Sequence, residues 1–144
     1  MLSLIVIAVL TSVLLNRLAL FNGAARPARL QAAIGAVHAA ATVFHTRCLA
    51  LRQREPAHDC SRVEVNGVPV AGVNGFPSAS VQGIAVAAAL PLTGPDAFRL
   101  RAAQSRGAPA LSFAIGERGC EFLYLQAKGP DVFPEVDIVD ASCH

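Results

Sequence analysis

The sequence predicts an α+β fold in which one long N-terminal helix packs on an antiparallel β-sheet. Three observations carry this reading. Residues 1–21 are apolar and nearly uncharged. Leu30, Ile34, Val37, Ala41, Phe44, Cys48 and Leu51 recur at alternating steps of three and four, which is one face of a helix. Beyond Ser61, short alternating apolar segments are separated by glycine-bearing turns, as antiparallel strands are. One helix followed by adjacent strands places the sheet over one side of the helix.

The helix is expected to run from Met1 to about Arg52, with its front half suited to a membrane. Leu2, Leu4, Ile5, Val6, Ile7, Val9, Leu10, Val13, Leu14 and Leu15 are interrupted only by small or weakly polar residues, and the first charge is Arg17. A bilayer core needs about 20 helical residues. Met1–Phe21 reaches that length if Asn16 and Arg17 count as interior, the arginine snorkelling outward. The chain therefore divides at residue 23. Residues 1–23 form a hydrophobic segment, and residues 24–144 form a head that includes the amphipathic half of the helix. No basic residue precedes the apolar run, as one would in a signal peptide, although Ala19–Ala25 mimics a cleavage site. A buried helix of a soluble domain is the remaining alternative. Gly23 and Pro27 are expected to bend the helix.

Charge is unevenly placed. Arg17, Arg26, Arg29, Arg47, Arg52 and Arg54 all precede the first acid, Glu55. Such a basic stem suits lipid headgroups, an acidic neighbouring subunit or nucleic acid. A single lysine and no aromatic array among the arginines put nucleic acid last, and none is expected as a partner.

Along the head, Arg52–Ser61 reads as a connection broken by Pro56. Arg62–Val65 and Val68–Val73 flank an Asn66-Gly67 hairpin turn, and Pro69 calls for an edge position or an irregularity. Asn74-Gly75-Phe76-Pro77 is a second turn. Ser78 or Ser80 is placed to cap a helix from Ala79 to Leu90, weakened by Gly83. Phe98–Ala103, Ala110–Ile115, Cys120–Gln126 and Glu135–Val139 read as strands. Four cysteines in a small head imply an oxidising compartment, and they allow three pairings. Proximity in the chain favours Cys48 with Cys60 and Cys120 with Cys143.

Few residues offer chemistry. His45, Cys48, His58 and Cys60 make a zinc set on paper, but a disulfide would consume both sulfurs. His38 lies seven residues before His45, beyond metal-ligand spacing, and no metal is expected. There is no G-x-S-x-G, no phosphate-cradling loop and no C-x-x-C. Asp137 and Asp140, three apart on a strand, are expected to face opposite ways. No enzyme activity and no cofactor are expected.

Several segments together resemble the type IV pilin and pseudopilin family, most of all pilins of the mannose-sensitive haemagglutinin type. They are Asn16-Arg17-Leu18, Ala25-Arg26 and the run from Leu30 to Ala41, then Val65-Asn66-Gly67 and Val73-Asn74-Gly75-Phe76-Pro77. Gly119-Cys120-Glu121-Phe122 and the closing Asp140-Ala141-Ser142-Cys143 match the family's disulfide-bounded C-terminal region. The likeness spans nearly the whole chain. The family's basic leader ending in glycine, aromatic start and early glutamate are not matched, which places Met1 inside the mature helix. The natural start is therefore expected upstream, the alternative being a divergent member that is not processed in the family's way.

The resemblance implies a structural subunit of a helical filament. Residues 2–15 would hold it in the inner membrane before assembly and pack in the filament core afterwards. The head would sit in the periplasm first and then on the cell surface. Implied partners are other pilin subunits, the inner membrane, a prepilin peptidase, and pilus or type II secretion machinery. The competing expectation is an envelope binding domain, membrane-anchored or secreted, that remains monomeric.

Overall fold

The computed structural model describes residues Ala25–Cys143. The expectations for residues 1–21 and for the bend at Gly23 concern the segment before this boundary and lie outside the described residues. Pro27 lies inside it, and the helix Ala25–Arg54 is continuous through that proline rather than melted there. Helix α1 runs Ala25–Arg54, a length of about 45 Å at 1.5 Å per residue. Alanine is abundant in it and favours helix. Its last turn carries Arg52 and Arg54, which complement the negative end of the helix dipole. Pro56 then stops it, because the residue before a proline is disfavoured in helical conformation.

Two antiparallel sheets follow rather than the single sheet expected. In the first, β1 (Arg62–Val65), β2 (Val68–Val73) and β3 (Phe76–Pro77) lie in the order β1-β2-β3. In the second, β4 (Arg99–Ser105), β5 (Ala108–Ala114), β6 (Glu121–Leu125) and β7 (Glu135–Asp140) lie in chain order. Three hairpins are closed by two residues with positive φ: Asn66-Gly67, Asn74-Gly75 and Arg106-Gly107. This geometry matches the twist of the flanking strands and explains why a glycine takes the second place each time. Pro69 has only β1 beside it, since β3 reaches no further along β2 than Gly72. Its missing N–H therefore breaks no ladder.

Each sheet covers a different half of α1, and two apolar clusters result. Toward the N-terminal half, Leu30, Ala33 and Val37 pack with Phe113, Phe122 and Tyr124. Toward the C-terminal half, Phe44 and Cys48 pack with Val63, Val65 and Val70. Gly72 lets β2 lie against the Phe44 ring, because a Cβ there would stand 2.3 Å from the ring's Cζ atom.

The helix expected over Ala79–Leu90 is cut short. A π-helical turn occupies Val81–Ala85, helical geometry ends by Ala87, and Ala89 has a φ of 51°. Gly83 is the cause. Its backbone leaves helical space, and a side chain there would collide with the Ser78 carbonyl, 2.2 Å from a Cβ. That carbonyl instead accepts the Ile84 amide, while the Ser80 hydroxyl accepts the Gly83 amide.

Strand β7 corrects a second expectation. A bulge pairs Phe122 with Ile138 but Glu121 with Asp140. Asp137 and Asp140 therefore stand opposite Leu123 and Glu121, which are two apart on β6. The inserted residue restores parity, so the two aspartates share one face instead of facing opposite ways.

Tyr124 joins the two halves of the head. It is 1% exposed, and its hydroxyl donates to the Pro77 carbonyl at 2.8 Å. Burial disfavours the phenolate and raises its pKa far above the usual value. The phenol is neutral in both folded and unfolded chains below about pH 10. Above that pH the unfolded chain ionises first, so stability is expected to fall as pH rises. The chain has one tyrosine and no tryptophan, so phenolate absorbance reports this residue alone. It should stay flat until the fold is lost in one cooperative step. A phenolate titrating with an ordinary midpoint in folded protein would contradict the burial.

Candidate functional site: the exposed face and the ends of the long helix

Helix α1 has two faces of different kinds. Of the residues expected under the sheet, Leu30, Val37, Ala41, Phe44 and Cys48 are buried, while Ile34 and Leu51 are half-buried at the margins. Ala33 and Ala40 complete the buried stripe. Sequence reasoning took them as filler, although each lies three residues past a periodic position or before one.

The opposite face carries Ala32, Gly35, Ala39, Thr42, Val43 and Thr46, all exposed. Between Arg29 and Arg47 there is no Asp, Glu, Lys or Arg at all. Solvent-facing helix surfaces ordinarily carry such charges. The threonines remove polarity further. Thr42 donates to the His38 carbonyl at 3.0 Å and Thr46 to the Thr42 carbonyl at 2.9 Å, so both hydroxyls turn back onto the helix. Val43 stands 41% exposed. A Cβ placed on Gly35 meets nothing within 4 Å, so the groove it leaves is open to the outside.

Two disulfides tie down the ends of the head. Cys48–Cys60 joins the last turns of α1 to the start of β1, with Cα atoms 5.7 Å apart. Cys120–Cys143 returns the C-terminus to β6, where the Cys143 amide also donates to the Gly119 carbonyl. Closing a loop with a sequence separation of 23 lowers unfolded-chain entropy by an equivalent of roughly 3 kcal/mol. The double substitution Cys120→Ser, Cys143→Ser should therefore lower unfolding free energy by about that amount. Non-reducing peptide mapping checks the pairing, and a Cys48–Cys120 fragment would contradict it.

The zinc set of the sequence reading is taken apart by this pairing, because both sulfurs are bonded to each other. His45 instead stacks on Phe76 with centroids 4.3 Å apart, and its Nδ1 lies 3.0 Å from the Gly75 carbonyl. The Phe133 ring, half exposed, closes over both. His58 Nδ1 accepts the Cys60 amide. His38 is exposed on the uncharged helix face. At Asp59, the Ser61 amide and then its hydroxyl donate to the carboxylate and hold its pKa below the usual range.

The outer face of the four-stranded sheet is polar. Ser112 and Arg101 both donate to Glu121, and Arg106 spans Glu135 and Asp137 at 2.7 and 3.1 Å. Phe98 is buried beneath while Arg99 and Arg101 face water, as alternation along a strand requires. Sequence reasoning missed the His45–Phe76–Phe133 stack, whose members come from three separate segments, so no local pattern announces it.

By length and composition, the stretch Arg26–Arg54 is apolar enough to cross a membrane. Its buried stripe already lies under the two sheets, however, so this stretch belongs to the head. Residues 2–15, expected to be the membrane or filament-core segment, lie outside the described residues. Comparison with protein-family models, with curated proteins and with solved structures finds no match to the chain.

Proposed function

We propose that the chain is a non-catalytic structural subunit of a helical filament of the type IV pilin or pseudopilin kind. The observation that carries this reading is the uncharged outer face of α1. It runs from Ala32 to Thr46 and is built mostly from small residues, with His38 beside them and the threonine hydroxyls bonded back to the helix backbone. Small, uncharged helix faces allow helix backbones to approach closely, and van der Waals packing then holds them without a large polar penalty. A monomeric head in water gains nothing from such a face. Residues 2–15 extend the apolar character toward the N-terminus, which suits a membrane before assembly and neighbouring helices after it. The two disulfides and the pilin-like layout of a long helix under antiparallel sheets fit the same reading. The subunit would wait in the inner membrane with its head in the periplasm and then enter a pilus or secretion pseudopilus.

The test is the composition of filaments sheared from cells that carry the gene with its natural upstream sequence. Mass spectrometry should find the subunit there, even as a trace component. Its absence from every filament preparation would leave a monomeric envelope domain as the better reading.

A further inference from the structure

We infer that the cleft between the last turns of α1 and strand β1 is a binding site for a phosphate monoester or an equivalent tetrahedral dianion. The cleft is an open surface depression of about 520 Å³, which lies in the range of small-molecule sites. Arg47, Arg54 and Arg62 line it together with Ala50, the half-buried Leu51 and Glu64, while Val63 beneath is turned into the core.

Arg47, Arg54 and Arg62 form no ion pair with a carboxylate among the described residues; Arg52, Arg99 and Arg118 form none either, but they do not line this cleft. Arg29, Arg101 and Arg106 each form an ion pair with a carboxylate. None of those pairs includes Arg47, Arg54, Arg62 or Glu64. Arg47 donates only to the Glu64 backbone carbonyl, at 3.1 Å. Arg54 and Arg62 make no hydrogen bond or ion pair among the described residues. The helix dipole accounts for Arg54 in the last turn. It does not account for Arg62 on a strand, nor for Arg47 two turns earlier. Three guanidiniums against one carboxylate leave a net charge of +2, which a phosphate monoester neutralises. The planar guanidinium also matches a tetrahedral oxyanion through paired N–H donors. The walls are rigid, since Cys48 and Cys60, adjacent to Arg47 and close to Arg62, are bonded to each other.

The cleft lies about 40 Å along α1 from Arg26, at the opposite end of the described helix. The binding site stands whether or not the chain assembles into filaments.

The test is titration of the full chain, in non-ionic detergent, with inorganic phosphate and with phenyl phosphate at constant ionic strength. Calorimetry should show saturable one-site binding, tighter for phenyl phosphate because its ring covers the exposed surface of Ala50 and Leu51. Arg54→Gln and Arg62→Gln should each weaken it about tenfold, the scale of one charge-assisted hydrogen bond. Both side chains are exposed, so thermal melting should change little, by no more than the small dipole contribution of Arg54. Arg118→Gln, outside the cleft, should bind as the unaltered chain does. Vesicles of phosphatidylcholine with and without phosphatidic acid separate the two sources of the group. Enrichment on phosphatidic acid would assign a headgroup, and binding of the soluble esters alone would assign a free ligand. No saturable binding of either phosphate, or equal binding by the Arg54→Gln/Arg62→Gln chain, would overturn the site.

Discussion

Replacing Phe44 by alanine is expected to lower the stability of the head by about 3–5 kcal/mol, the range for deleting a fully buried aromatic. The ring is 0% exposed and fills the centre of the smaller apolar cluster, among Cys48, Cys60, Val63, Val65 and Val70. Collapse cannot close the gap cheaply. The Cys48–Cys60 bridge fixes one wall, and the β1–β2 hairpin fixes another. Gly72 contributes no side chain to refill the space, because its own backbone already lies against the ring. Denaturant unfolding of both chains measures the difference. A loss below about 1 kcal/mol, the scale of an ordinary surface change, would mean that Phe44 does not carry the lower cluster.

How much of this was legible in the chain depended on how local the determinants are. The three positive-φ turns are set by a pair of residues each, and the two containing asparagine and glycine could be read directly. The strands from Arg62 to Glu135 follow from alternation between such turns. The stripe Leu30, Val37, Phe44 follows from helical periodicity. Its neighbours Ala33 and Ala40 do not, because alanine is equally at home on either face. Division into two sheets was not legible, since it depends on β1 to β3 pairing only with one another and β4 to β7 doing the same, which is set by the fold and not by local alternation. The π-helical turn was signalled only as a weakness at Gly83. Its true cause, close approach of the Ser78 carbonyl, is a three-dimensional fact. The bulge in β7 likewise adds one residue with no sequence mark, and that residue alone reversed the expected facing of Asp137 and Asp140. The arginine cleft was half visible. Arg47 and Arg54 share a helix face at a spacing of seven, but Arg62 reaches them only through the fold.

The uncharged helix face has a sharper consequence. Gly35 sits in its middle with open space where a side chain would stand. Leucine there should fit the isolated subunit and strengthen the helix slightly, by up to about 1 kcal/mol, since glycine is a poor helix former. In a filament, the same leucine would occupy the groove that a neighbouring helix needs for close approach. Stability and assembly should therefore move in opposite directions, which a merely structural glycine would not produce. The decisive measurement compares the unaltered chain with Gly35→Leu in one strain, by thermal melting of the subunit and by mass spectrometry of sheared filaments. The expected result is an unchanged or higher melting temperature with filament content reduced at least about tenfold, equivalent to 1.4 kcal/mol of lost contact. Undiminished incorporation of the leucine chain into filaments would contradict the claim that this helix face is the packing surface.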